Sequence, residues 1–137
     1  MPDSQSLSVR VAAFELPNIS TASFTEQHEI RGEEVIVSLR GNADSDVAGT
    51  FSHYLERLHE EVCKARLQEV TLDCRELYFL TSSCIKCLVM AIKRLAAMDA
   101  RSQYKINLMT TPALRWQERS FEVLCQLAPV VVRMRPG

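Results

Sequence analysis

The chain is predicted to form a single α/β domain: a mixed β-sheet that begins with an antiparallel hairpin, continues with parallel strands and is packed with helices. Three observations predict it. Two short apolar runs near the start flank a connection containing glycine, the pattern of a hairpin. Strongly periodic amphipathic segments then alternate with short apolar ones, as helical crossovers between parallel strands require. Finally, 137 residues, of which 47% are apolar, suffice for one well-buried core and not for two typical domains.

Residues 1–23 read as an N-terminal extension and 24–137 as the domain. In the extension Val9, Val11 and Ala13 alternate as strand residues do, and Pro17 to Thr21 has linker character. Phe24 to Ile30 and Val35 to Leu39 form the hairpin around Arg31-Gly32-Glu33-Glu34, with Val35, Val37 and Leu39 on one face. Asp44 or Ser45 is placed to cap a helix in which Val47, Phe51, Tyr54, Leu55, Leu58 and Val62 recur at helical spacing, leaving Glu56, Arg57, Glu60 and Glu61 toward water. Val70 to Asp73 is a short strand, linked through Arg75-Glu76 to Leu77-Tyr78-Phe79-Leu80.

A second helix starts within Thr81-Ser82-Ser83 and carries an apolar stripe of Ile85, Leu88, Val89, Ile92, Leu95 and Ala96. Tyr104 to Met109 reads as a strand with Ile106 and Leu108 inward. Thr111-Pro112 opens a third helix, a hydroxyl cap followed by proline, with Leu114, Phe121, Leu124 and Cys125 on its apolar face. Pro129 ends that helix before a last strand, Val130 to Met134.

Composition excludes several classes of function. Sixteen basic residues against seventeen acidic ones leave a net charge of −1, so neither nucleic acid nor an anionic membrane is expected as a partner. So small a charge does little to prevent self-association, and a homodimer stays open. The stretch Val9 to Leu16 is interrupted by Arg10 and Glu15, against a secretory signal, and the apolar run Cys87 to Ile92 is closed by Lys86 and Lys93, far short of a membrane span. Five cysteines without a regular framework fit a reducing compartment, so a cytoplasmic location is expected, with Cys63, Cys74 and Cys125 as buried apolar thiols. His28, His53 and His59 show no metal-ligand spacing, and no glycine-rich phosphate loop occurs, so neither a metal nor a cofactor is expected. His53 and His59 read as solvent-facing helix residues, and Trp116 with Arg115 either forms a contact point or helps to complete the core.

The most informative stretch is Glu69 to Leu95, which sets Thr81-Ser82-Ser83 between an apolar strand and an amphipathic helix. Gly41-Asn42-Ala43-Asp44 and Phe79-Leu80-Thr81-Ser82-Ser83-Cys84-Ile85, with the order of elements around them, resemble the STAS domain of bacterial anti-sigma-factor antagonists over roughly Phe24 to Met134. Members of that family carry G-E-L-D at the end of one strand and F-x-D-S-S-G, with x apolar, at the opening of the next helix. Here Thr81 stands for the motif's Asp and Cys84 for its Gly. The resemblance implies a regulatory, non-enzymatic domain. Its partner would be an anti-sigma factor or serine-kinase-like protein that phosphorylates the first Ser of the motif, with a phosphatase to reverse the mark.

Residue for residue that acceptor is Ser82. A related bacterial group reads Y-[FL]-N-T-S-S and uses the Thr, which makes Thr81 a second candidate, and Ser83 is the third. The partner surface implied by the resemblance comprises Asp44, Ser45, Asp46, Leu80, Cys84, Lys86 and Lys93. Two other readings stand beside it. The hydroxyls can simply cap the helix of a constitutive adaptor or self-associating scaffold. Alternatively Cys84-Ile85-Lys86-Cys87, a C-x-x-C at a helix N-terminus, can act as a redox dithiol.

Overall fold

Gly32 takes the first position of a two-residue turn with φ +61°, where a hairpin needs a positive φ, and this pairs β1 (Phe24–Arg31) with β2 (Glu34–Ala43) in antiparallel register. The computed structural model describes residues 6–137 and shows the expected mixed sheet. Parallel strands β3 (Glu69–Leu80), β4 (Lys105–Thr110) and β5 (Val132–Pro136) follow, in the spatial order β1-β2-β3-β4-β5. The connecting helices are α2 (Ala48–Ala65), α3 (Ser82–Ala96) and α4 (Arg115–Leu127), and a short α1 (Leu7–Ala12) precedes the hairpin. One sheet face supplies Val35, Val37, Leu39, Val70, Leu72, Leu108 and Val132 to a core shared with Phe51, Leu58 and Val62 of α2, Ile92 and Leu95 of α3, and Phe121 and Leu124 of α4.

Several elements depart from expectation, each for a physical reason. Val9 to Ala12 is helical rather than extended, with Ala13 as the C-cap, because Ser6 caps the helix through Val9 N–H and because Leu7, Val11 and Phe14, at helical spacing, pack against the core. Leu16 and Ile19, in the segment read as extension and linker, lie in the same core, at 8% and 5% exposure. The two short strands expected on either side of Arg75-Glu76 are one strand. Register shifts against β2 absorb the extra β3 residues as bulges, and Asp73 holds Arg75 through its backbone and side chain.

Helix α4 begins at Arg115, since the Thr111 hydroxyl accepts from Ala113 N–H in a turn of its own before the helix. β5 starts at Val132 because the amides of Val131 and Val132 both donate to the Ala128 carbonyl. On α3 the buried stripe is Cys84, Leu88, Ile92 and Leu95, with Ile85 and Val89 half-buried and Ala96 exposed.

Buried polar groups tie the layers together. Glu61, expected in water, is 2% exposed. Its carboxylate accepts from Glu15 N–H at 2.9 Å and pairs with Lys64 and Arg57. Glu26 is equally buried and accepts from Tyr54 OH, Asn18 and His28. On the opposite sheet face, buried Asn107 donates to Glu69 and Thr71 and accepts from Arg133 Nε, linking three strands. His59, expected in solvent, is half-buried with Nδ1 at 2.8 Å from Tyr104 OH, and burial first and Arg94 second hold its pKa below the ordinary value.

Two features of β2 and β3 position the loops beyond them. Gly41 has φ +98° and lies so close to Ser23 that a Cβ would stand 2.1 Å from the Ser23 carbonyl oxygen. β4 pairs with β3 only as far as Asp73, so the last half of β3 has no strand on that side. Gln117, fully buried, closes it: its amide donates to the carbonyls of Cys74 (2.6 Å) and Leu77 (3.3 Å) and its oxygen accepts from Thr111 N–H (3.0 Å).

Gln117→Leu removes all three hydrogen bonds at a buried site, and a stability loss of about 2–4 kcal/mol is expected in urea titration. Acid should act through Glu61. Burial alone pushes its carboxyl up, but the Glu15 N–H bond, Lys64 and Arg57 outweigh burial and hold it below the usual range. A depressed folded pKa gives stability that is present above the ordinary value of about 4.3 and lost as pH falls through the folded value. Glu61→Gln is therefore expected to show a shallower loss of stability than the native chain below about pH 4.3, measured by urea midpoint against pH.

Candidate phosphoacceptor loop and partner surface

The strand ends of β2 and β3 bring two loops into contact. Thr81 N–H donates to the Ala43 carbonyl at 2.9 Å, the last rung before both chains turn into helices. Asp44 caps the 3-10 turn Ser45–Val47 by accepting from Asp46 N–H at 3.0 Å, and that turn leads directly into α2. Thr81 is the N-cap of α3, in extended conformation, with its hydroxyl 3.4 Å from Cys84 N–H. Both loops therefore lie at the carboxyl end of parallel strands, where open α/β sheets present ligand-binding loops.

The three hydroxyls are not equivalent. Thr81 is half-buried and engaged as the cap, whereas Ser82 and Ser83 are exposed on the first turn of α3, and their side chains make no hydrogen bond among the described residues. Lys86, four residues beyond Ser82 and so on the same helical face, is exposed. Ser45 and Asp46 are exposed and Asp44 half-buried, while Lys93 is exposed two turns beyond Lys86.

Two residues expected on the partner surface have buried side chains. Leu80 is 6% exposed and Cys84 is fully buried, so both side chains belong to the core. Cys84 stands where the related motif has Gly, and its thiol donates to the Asp44 carbonyl at 3.6 Å; Cys87 donates to Ala48 O at the same distance. The thiols thus bind the start of α3 to the start of α2. Desolvation pushes the Cys84 thiol up, outweighing the Thr81 hydrogen bond, which favours the thiol form over the thiolate that redox exchange needs. Among the structural thiols, Cys74 is buried as expected and Cys63 and Cys125 are half-buried.

Reading the sequence missed three exposed apolar residues near the loop. Tyr78 is 55% and Phe79 49% exposed just ahead of Thr81, and Met90, between Lys86 and Lys93 on the outer face of α3, is 60% exposed. For Met90 the signal was present, since positions 86, 90 and 93 share one helical face. Tyr78 and Phe79 look like core strand residues in sequence, and only the bulges in β3 turn them outward. Trp116 neither stands free nor lies deep: it packs edge-on against Phe121, and its Nε1 donates to Tyr78 O at 3.1 Å.

Among the described residues there is no group of three His, Cys, Asp or Glu placed to hold a metal, and no helix is long and apolar enough to cross a membrane. No family model matches the sequence, and no curated protein does. Solved structures do match in fold. An anti-sigma factor antagonist from Mycobacterium paratuberculosis superimposes with a TM-score of 0.63 over 87% of this chain and 92% of that one, at 14% identity. An antisigma-factor antagonist STAS domain from Rhodobacter sphaeroides gives a TM-score of 0.49 over 65% of this chain and 88% of that one, at 20% identity. The chain has a STAS-like fold.

The capping hydroxyl and the exposed ones separate experimentally. Thr81→Ala is expected to cost about 1 kcal/mol through loss of the cap, whereas Ser82→Ala should change stability by no more than about 0.5 kcal/mol, both read from urea unfolding.

Proposed function

We propose that this protein is a regulatory binding module of the anti-sigma-factor-antagonist kind, which binds an anti-sigma factor or a related serine-kinase-like protein and is switched by phosphorylation of Ser82. The observation that carries the reading is the exposed Ser82 hydroxyl on the first turn of α3, beside the exposed Ser45-Asp46 loop at the same end of the sheet. The fold it shares with an anti-sigma factor antagonist supports the class of function. Partner contact would fall on Ser45, Asp46, Ser82, Ser83, Lys86 and Lys93, with Asp44 holding its loop in shape.

The chemistry of such a switch follows from position. A phosphate on Ser82 adds about −1.5 to −2 charge and three acceptor oxygens at the positive end of a 15-residue helix, so it leaves its own domain folded. Lys86 can partly neutralise it within the domain. A partner surface matched to neutral hydroxyls instead meets a new dianion, and an unpaired charge at an interface costs several kcal/mol. Binding ends without any change of fold, and a phosphatase resets the module.

The cap geometry of Thr81 favours a second reading, a constitutive adaptor or scaffold in which the hydroxyls serve only the helix. Incubation with the cognate serine kinase and mass-spectrometric mapping distinguishes the two. The switch predicts one phosphate, on Ser82, abolished by Ser82→Ala. Ser82→Asp should weaken partner binding by at least about 100-fold in calorimetry. Absence of phosphate from residues 81–83, with Ser82→Asp binding unchanged, would leave the adaptor.

A further inference from the structure

One of the five thiols stands beside a base and faces a hollow. Cys63 and His59 are one turn apart on α2 and share a face, with Cys63 Sγ 3.8 Å from His59 Nε2. The other ring nitrogen, Nδ1, lies 2.8 Å from the hydroxyl of Tyr104, which is buried just ahead of β4. A nucleophile, a base and a group that orients the base thus follow one another, the arrangement that activates a thiol. Cys74 and Cys84 are closed off in the core and Cys87 is bonded to the Ala48 carbonyl. Among the described residues, neither these three nor Cys125 has an imidazole within hydrogen-bond reach.

The hollow has a volume of about 410 Å³ and lies between the end of α2 and the 3-10 turn Ala100–Ser102, at the amino ends of β3 and β4. Besides Cys63 its walls include Arg66, Gln68, Arg101, Gln103 and Tyr104, and no carboxylate among the described residues lines it. Gln103 is fixed there by donating to the Ala96 and Met98 carbonyls. Arg101 is exposed and makes no ion pair among the described residues. The space beside the thiol is therefore polar and positively charged, which suits a small anion.

Burial pushes the Cys63 thiol up, and burial first, then Arg94, holds the His59 imidazole below its ordinary value against the opposing pull of Glu60. Both groups rest uncharged at neutral pH, so exchange at Cys63 requires the thiol proton to pass to a base. Cys84 shares the burial and lacks the base.

We propose that Cys63 is a thiol-exchange site, at which the disulfide of a small carboxylate-bearing thiol forms a reversible mixed disulfide with the protein, His59 taking the proton and Tyr104 positioning the imidazole. With Nδ1–H donated to the Tyr104 oxygen, Nε2 accepts the thiol proton as the Cys63 sulfur attacks one sulfur of the reagent. The reagent's S–S bond breaks, a new one joins Cys63 to the near half, and the far half leaves as a thiolate that recovers the proton from His59. Cys63 is oxidised and the departing half is reduced, so no further oxidant enters. The carboxylates of the retained half lie in the hollow against Arg101. Ser82 is at the other end of the parallel strands, and the exchange does not depend on it.

The test incubates the native protein with glutathione disulfide, an anionic probe, and with hydroxyethyl disulfide, a neutral one, and maps the modified cysteines by peptide mass spectrometry. Cys63 is expected to react with glutathione disulfide at least about tenfold faster than any other cysteine, and dithiothreitol should restore the free thiol. From about pH 7 to pH 8 its rate should rise less than about threefold, because His59 is already the free base, whereas an unassisted thiol gains about tenfold. His59→Gln should slow the reaction at neutral pH by about tenfold and bring back the steep pH dependence. Arg101→Ser should slow glutathione disulfide by about fivefold and leave hydroxyethyl disulfide unchanged. Equal rates at Cys63 and Cys125, or a tenfold rise per pH unit in the native protein, would overturn the site. Arg101→Ser slowing both probes alike, or neither, would overturn the anionic class of its ligand.

Discussion

The architecture around the candidate site depends on how the second half of β3 is completed. A strand of 12 residues outruns β4, which accompanies it only to Asp73, so the edge beyond has no strand on that side. Gln117 bonds to that edge from α4, and Trp116 reaches the Tyr78 carbonyl from the same turn. A side chain thus takes the place of a sixth ladder position. Because the overhang is held, Thr81 arrives beside Ala43, and the two loops meet.

From that contact the loop's chemistry follows. Thr81 is spent on the cap and Cys84 on the core and the Asp44 carbonyl, so these two do structural work while Ser82 and Ser83 face outward. The helix below carries Lys86, Lys93 and Arg94 and no acidic residue, and Arg94 is paired with Glu56 of α2. A dianion placed at its start would meet a helix dipole and a basic face, so the proposed phosphorylation would leave the fold intact.

Much of the fold was legible because burial repeats with the period of the backbone. The hairpin showed in Gly32 between two alternating runs, and α2 in the spacing of Phe51, Tyr54, Leu55, Leu58 and Val62. Where prediction failed, long-range contacts had overruled a local pattern. Glu61 looks solvated in sequence because its partner, the Glu15 amide, lies 46 residues away. Val9 to Ala13 has too few residues to declare a period, and its helix takes its support from α2 and the hairpin turn. Leu80 and Cys84, grouped with the partner surface because they flank the hydroxyls, turn inward because strand and helix each alternate their faces within the loop.

By itself the sequence determined the order and type of the main elements, the mixed sheet and the position of the hydroxyl run at a helix start. These follow from periodicity, turn residues and capping, all of which act over a few neighbouring positions. Only the tertiary structure decided which hydroxyls face outward, that Tyr78 and Phe79 are exposed, that Gln117 closes β3 and that Arg10 fastens α1. Each of these depends on groups that meet across the fold, and a buried donor or acceptor takes whichever partner the packing brings within reach.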